Sequence, residues 1–277
     1  MSPEEYCADK VARAGSSLYY GLLFLQPEKR RAATAVHAFV REVRDVVDEC
    51  SDPSLARTKL AWWRQQIATV YGGTPQHPVA RALQEVAKIY RLPEERFQEI
   101  MDGVELDLTE GRYPDFQALA LYCHRVAGVV NQLCAEIFGY EDQRTVACVR
   151  DLGLAIQLAR IIRDVGKDAR RNRIYLPIDE LSKFHVQPAD VLHRRHTDGF
   201  TKLTEFEIDR AVGHFTRAEA ELPVVDRRAQ RAGLVLAAIY RTLLDEIRAD
   251  GCRVLDRRTS LTPLRKLWIA WRIRVAA

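Results

Sequence analysis

The sequence predicts an all-α protein folded as one helical domain spanning residues 1–277. Apolar residues recur at helical spacing through most of the chain, and no series of alternating strands is found. Internal repeats, low-complexity tracts, long linkers and abrupt composition shifts are all absent, which sets the domain count at one. In chain order, the periodicity predicts helices over about 28–49, 53–71, 79–90, 94–110, 116–139, 144–171, 203–221, 227–250 and 262–275. Their separators contain the expected breakers. Asp52-Pro53 divides the first two helices and the "GGTPQHP" run from Gly72 to Pro78 divides the next two. Pro177, Pro188 and Asp198-Gly199 punctuate the later half, and Thr262-Pro263 makes a start for the last helix.

Composition narrows the function classes. With 277 residues, 47% of them hydrophobic and 29% charged, the chain is large enough to build a substantial core. Its 42 Lys and Arg against 38 Asp and Glu give a net charge of +4, too mild to imply nucleic acid as a partner. The six cysteines (Cys7, Cys50, Cys123, Cys134, Cys148, Cys252) are widely spaced with no C-x-x-C pair, and they read as free thiols in a reducing compartment. The opening "MSPEEYCADK" lacks a signal-peptide pattern, and no apolar run approaches the ~20 residues of a membrane span. A cytoplasmic location is expected. His193 and His196 have no further His or Cys cluster nearby to make a zinc site. Without a glycine-rich phosphate loop, no nicotinamide cofactor is expected either.

Two acidic clusters carry the chemistry. In "RIIRDVGKDARRNRIYLP", Asp164 and Asp168 lie one helical turn apart, ~6 Å along the axis, among several Arg and Lys residues. In "AFVREVRDVVDEC", Asp45 and Asp48 lie three apart. Like charges so placed cost a few tenths of a kcal/mol unless a cation or basic side chains neutralise them. Ion-paired surface helices explain either cluster alone, with Arg41 on Asp45, Arg44 on Asp48 and Arg160 on Asp164. Taken together, and set among Val43, Val46, Val47, Ile161, Ile162 and Val165, they point to carboxylates facing one another inside a bundle. A hard divalent cation such as Mg²⁺ suits such oxygen ligands, and Arg163, Lys167, Arg170, Arg171 and Arg173 could hold phosphate oxygens beside it.

At these residues the chain resembles the squalene and phytoene synthase family, most of all its bacterial branch that makes presqualene diphosphate for hopanoids. The resemblance runs over nearly the whole chain. "GSSLYYGLLFLQPEKRRAATAVHAF" is similar to the family's opening Ser-Tyr segment and first active-site helix, and "DGVELDL" and "YCHRVAGVV" to its central helices. "RDVGKDARRNRIYLP" is the most specific signature, and "SLTPLRKLWIAW" resembles the closing segment of the hopanoid branch.

The resemblance implies an isoprenoid-synthase helical bundle with a central cavity, in which two farnesyl diphosphates condense head to head to presqualene diphosphate. It implies Mg²⁺ on Asp48, Asp164 and Asp168. Ser17, Arg41, Asp45, Arg163 and Arg173 are then substrate contacts, and Tyr20, Tyr122, Gln157, Tyr175 and Tyr240 cavity or ordering positions. Phytoene or dehydrosqualene synthesis stays open, as does a non-catalytic role in binding prenyl diphosphates. Partners in squalene and hopanoid synthesis are implied, together with peripheral contact of the C-terminal helix with the inner face of the membrane. On pattern alone that helix could equally pack its Trp residues onto the bundle.

The chain departs from the family pattern where metal is expected. Arg44 stands in place of the first aspartate of D-x-x-x-D, Arg160 in place of an asparagine, and Lys167 in place of a glutamate. Leu18, Val40 and Asn131 are smaller departures. Each basic replacement makes the site more positive. Either guanidinium charge substitutes in part for metal charge, or Arg44 and Arg160 occupy the metal positions and little activity remains.

Overall fold

A computed structural model describes the chain except for Ala14, Ser16, Ser51, Glu110, Ala277 and the side chain of Ala276. In order, the helices are α1 (Pro3–Arg13), α2 (Leu18–Leu22), α3 (Pro27–Glu49), α4 (Pro53–Gly72), α5 (Pro78–Tyr90), α6 (Glu94–Thr109), α7 (Phe116–Cys123), α8 (Val129–Phe138), α9 (Arg144–Ala169), α10 (Ile178–Lys183), α11 (Pro188–Leu192), α12 (Asp198–Glu221), α13 (Arg231–Ala249) and α14 (Pro263–Ala276). The all-α expectation holds. Among the described residues the one strand-like pairing is a parallel bridge between Arg112 and Ile174.

Local chemistry fixes several helix starts. Asp52 accepts from the Ser54 amide with Pro53 in the first turn, and His77 accepts from Val79 with Pro78 behind it. Asp115 and Thr197 cap α7 and α12 in the same manner, so donors that would be orphaned at a helix start are satisfied. Asp198-Gly199, expected as a turn, forms the first turn of α12 because Thr197 caps it. Sequence periodicity missed α1 and the short α2, α10 and α11. It also ran a single helix through 116–139, where the structure inserts a π-helical turn at His124–Gly128 between α7 and α8.

One contiguous apolar core extends from Cys7 in α1 to Ala270 in α14. α9 is its axis. From Asp151 to Gly166 none of its residues is exposed, and the helix packs against α8, α12, α13 and the π turn. Close approach on one side depends on Gly153, where a Cβ would stand 2.7 Å from the Ala127 carbonyl oxygen in the π turn. All six cysteines are free, and all but Cys50 are buried, as their spacing predicted.

Candidate active site

Two helix faces oppose each other across a cavity of about 550 Å³. α3 supplies His37, Val40, Arg41, Arg44 and Asp48, which recur every three or four residues and so share a face. On α9 the matching stripe starts at Ile156 and Gln157, passes Arg160 and Arg163, and ends at Asp164, Lys167 and Asp168. Both stripes run from apolar to charged toward their C-termini. The apolar end is closed by Val126, Ala127 and Val130 beside the π turn, and by Leu236, Ile239 and Leu243 of α13. One compartment thus has a cationic mouth and a hydrocarbon interior.

Every carboxylate at the mouth has a guanidinium nearby, and two are held directly. Asp48 Oδ1 accepts from Arg171 Nη1 at 2.9 Å and Arg173 Nη1 at 3.2 Å. Asp164 Oδ1 accepts from Arg163 Nε at 2.9 Å and from Arg258 Nε at 2.6 Å, while its Oδ2 takes a second bond from Arg163. Burial alone would raise the Asp164 acid, but Arg163 and Arg258 outweigh it and bring its pKa down to about 2. Asp168 goes the other way, pushed up to about 7 by burial and then by its neighbour Asp164. On the apolar side, burial and secondarily Arg160 lower His37 to about 4, so its imidazole is neutral at pH 7.

Arg258 enters from the segment between α13 and α14, and a glycine lets that segment approach. A Cβ on Gly166 would stand 2.3 Å from the Leu255 carbonyl oxygen, while the Gly166 amide donates to the Val254 carbonyl at 3.2 Å. The glycine of the R-D-V-G run is therefore a packing requirement.

Asp107 organises the wall beside the mouth. Tyr175 Oη donates to its Oδ1 at 2.7 Å and Tyr122 Oη to its Oδ2 at 3.0 Å, with the Tyr122 and Tyr175 rings stacked at 5.3 Å. Arg173 reaches the Asp107 carbonyl oxygen at 3.4 Å as well as Asp48, tying this wall to the mouth. Burial raises the Asp107 acid, with Arg44 the first of the groups opposing it. Sequence reasoning quoted the segment "DGVELDL" without singling out Asp107. Its signal was helical spacing: Asp107 stands seven residues after Ile100 and four after Gly103, on the buried stripe of α6.

The structure brings Ser17, Arg41, Asp48, Arg163, Asp164, Asp168 and Arg173 to the cavity, together with Gln157, Tyr175 and Tyr240. Three expectations need correction. Asp45 turns away from the cavity to Arg41 at 2.8 Å and Lys10 at 3.1 Å, because one residue on from Arg44 it is rotated about 100° off the lining face. Tyr122 lies fully buried behind Tyr175, off the cavity lining, stacked on that ring and bonded to Asp107. Tyr20 lines not this cavity but an adjoining apolar groove of about 750 Å³ between α1, α3, α5 and the start of α14, which shares Val11, Gly15 and Lys266 with it. Lys167, Arg171, Arg258 and Lys266 join the mouth, and of these only Lys167 and Arg171 stood in the basic run seen in sequence.

The residues present do not fit a divalent cation. Among the described residues no three His, Cys, Asp or Glu side chains come together to hold a metal. Asp48 and Asp164 are each held by two guanidinium groups, and a cation would have to displace them. It would also enter a cavity lined by nine Arg and Lys side chains against three aspartates. The Mg²⁺ site expected on Asp48, Asp164 and Asp168 is therefore not formed by this arrangement.

Comparison with known proteins places the chain. The sequence pattern of the squalene/phytoene synthase family matches residues 11–265. The chain belongs to this family. Among curated relatives, the 15-cis-phytoene synthase of Synechocystis is 31% identical, aligned over 96% of this chain and 84% of its own. The phytoene synthase of Mycobacterium bovis is 35% identical over 93% of this chain and 85% of its own. Among solved structures, squalene synthase HpnC from Alicyclobacillus acidocaldarius superposes with a TM-score of 0.79 at 27% identity, covering 90% of this chain and 94% of that one. A dehydrosqualene synthase solved with a ligand superposes at 0.90, covering 99% and 96%; at 24% identity it speaks for the fold. The family is of prenyltransferase type, and the fold is the isoprenoid-synthase bundle.

Proposed function

We propose that the chain condenses two farnesyl diphosphates head to head into presqualene diphosphate. The observation that supports this is the single cavity with cations at one end and hydrocarbon at the other. Its volume of about 550 Å³ is in the range of small-molecule sites. In that reading the C1–O bond of one substrate breaks and its electron pair leaves with the diphosphate, held by the guanidinium forks at the mouth. The allyl cation is captured by the double bond of the second farnesyl chain, and loss of a proton closes the cyclopropane. Val126, Ala127, Val130 and the α13 side chains exclude water while the cation exists. The reaction takes place at the inner face of the membrane, with α14 resting on the bilayer.

The names of the curated relatives favour a second reading, phytoene synthesis from longer prenyl diphosphates. Incubating the purified chain separately with farnesyl and geranylgeranyl diphosphate, without nicotinamide, and analysing the extracts by mass spectrometry separates the two. Presqualene diphosphate from the shorter substrate is the expected product. Turnover of geranylgeranyl diphosphate alone would replace the first reading with the second. A chain that binds either compound and turns over neither is a non-catalytic relative.

A further inference from the structure

We infer that the cavity holds the diphosphate of its substrate through Arg44 and Arg160, together with the basic side chains at the mouth, and with no divalent cation. The inference rests on the prenyl-diphosphate reading above and concerns what neutralises the bound anion.

Arg44 and Arg160 stand on opposing helices, each four residues before an aspartate of the mouth, and so ~6 Å deeper along its helix. Neither makes an ion pair among the described residues, and Arg44 Nη1 is buried without a hydrogen-bond acceptor. Asp107 and Asp48 attract Arg44 from a distance, but among the described residues no carboxylate closes on either guanidinium, and a buried charge left without a bonded partner costs several kcal/mol. Two such guanidiniums repel each other besides, yet both line a cavity open to a ligand. An anion placed between them satisfies both.

The size of the imbalance says what kind of anion. Nine basic side chains against three aspartates leave a surplus of six positive charges. The C-termini of α3 and α9 offset this by only about half a charge each. A divalent cation would enlarge the surplus, whereas a diphosphate reduces it by more than the roughly two charges of a single phosphate. Planar guanidinium forks on both walls suit its oxygens. The depth of Arg44 and Arg160 assigns them to the phosphate nearest the prenyl chain. Lys167, Arg171 and Arg258, nearer the surface, take the terminal phosphate.

Titration calorimetry on the full chain with farnesyl thiodiphosphate, which resists ionisation, tests this in EDTA and in excess Mg²⁺. The expected dissociation constants agree within about threefold. A tenfold or greater loss in EDTA would overturn the metal-free assignment while leaving the prenyl-diphosphate reading intact. No binding in either condition would overturn both. The Arg44→Met/Arg160→Met variant should bind at least ~100-fold more weakly, since each lost charge contact leaves phosphate oxygens unpaired. Its unfolding should stay cooperative, and any fall in melting temperature should be matched by the single Arg44→Met variant, because Arg44 also offsets the buried Asp107 charge. Undiminished binding by the double variant would show that the two residues serve the fold and not the ligand.

Discussion

Asp164 and Asp168 occupy the same face of α9 one turn apart, yet their acids shift in opposite directions from the ordinary 3.8. The cause is who reaches each one. Asp164 accepts from Arg163 and Arg258, whereas burial dominates at Asp168. The consequences for stability are opposite too. The Asp164 contribution is present above 3.8 and is lost as pH falls toward 2. Asp168 keeps its proton in the fold while the unfolded chain gives it up, so stability declines as pH rises from about 4 through 7. Replacing Asp168 with Asn should therefore raise the melting temperature more at pH 8 than at pH 5; an equal gain at both would show that the charge is not the cause. At Asp107, Tyr122→Phe removes one of two hydroxyl donors from a buried carboxylate. A loss of about 1–3 kcal/mol in urea unfolding is expected. Unchanged stability would mean that Tyr122 serves only by packing.

Among the elements, α9 and the segment that follows α13 are joined at Gly166. A methyl group there meets main-chain carbonyls of Val254 and Leu255, which cannot turn aside as a side-chain tip can. Gly166→Ala is expected to cost about 1–3 kcal/mol and to weaken diphosphate binding by moving Arg258 away from Asp164. Gly213→Ala, on an exposed stretch of α12 with nothing within 4 Å, serves as its contrast and should stabilise by about 0.5–1 kcal/mol. Equal effects at the two glycines, measured by thermal and urea unfolding, would remove the packing argument. The π turn at His124–Gly128 works on the same scale. It places Val126 and Ala127 on the cavity, and a π turn of this kind is often found where a helix must be re-aimed at a site.

At the scale of the whole molecule, α14 packs on the bundle without burying its Trp residues. Ile269 and Ala270 pack on the bundle, whereas Leu264, Trp268 and Trp271 are 79%, 54% and 55% exposed. The Trp residues are therefore not the contact with the core. Arg265, Lys266, Arg272 and Arg274 share the helix with them, a composition that supports the lipid contact proposed above. No helix among the described residues is long and apolar enough to cross a membrane, so contact through α14 would be peripheral. Co-sedimentation with vesicles containing phosphatidylserine should pellet the chain at low salt, and Trp268→Ser/Trp271→Ser should leave it in the supernatant. Equal pelleting of both would rule out α14 as the anchor.

The sequence by itself determined most of the helices from α3 onward, their order and the residue types at the site, because these follow from short-range rules. Period 3.6 marked the long helices, Pro and capping residues marked their ends, and i,i+4 spacing put Asp164 with Asp168 and Arg44 with Asp48. Helices as short as α2 and α11 escaped because five residues show no period. Which side chains meet across helices was decided only by tertiary structure. Asp45 and Asp48 look alike in sequence, yet the turn of α3 sends one to Lys10 and the other to Arg171 and Arg173. Arg258 lies 94 residues from Asp164 and reaches it only because Gly166 admits the intervening chain. Contacts of that range depend on how whole helices pack, and no local pattern carries that information.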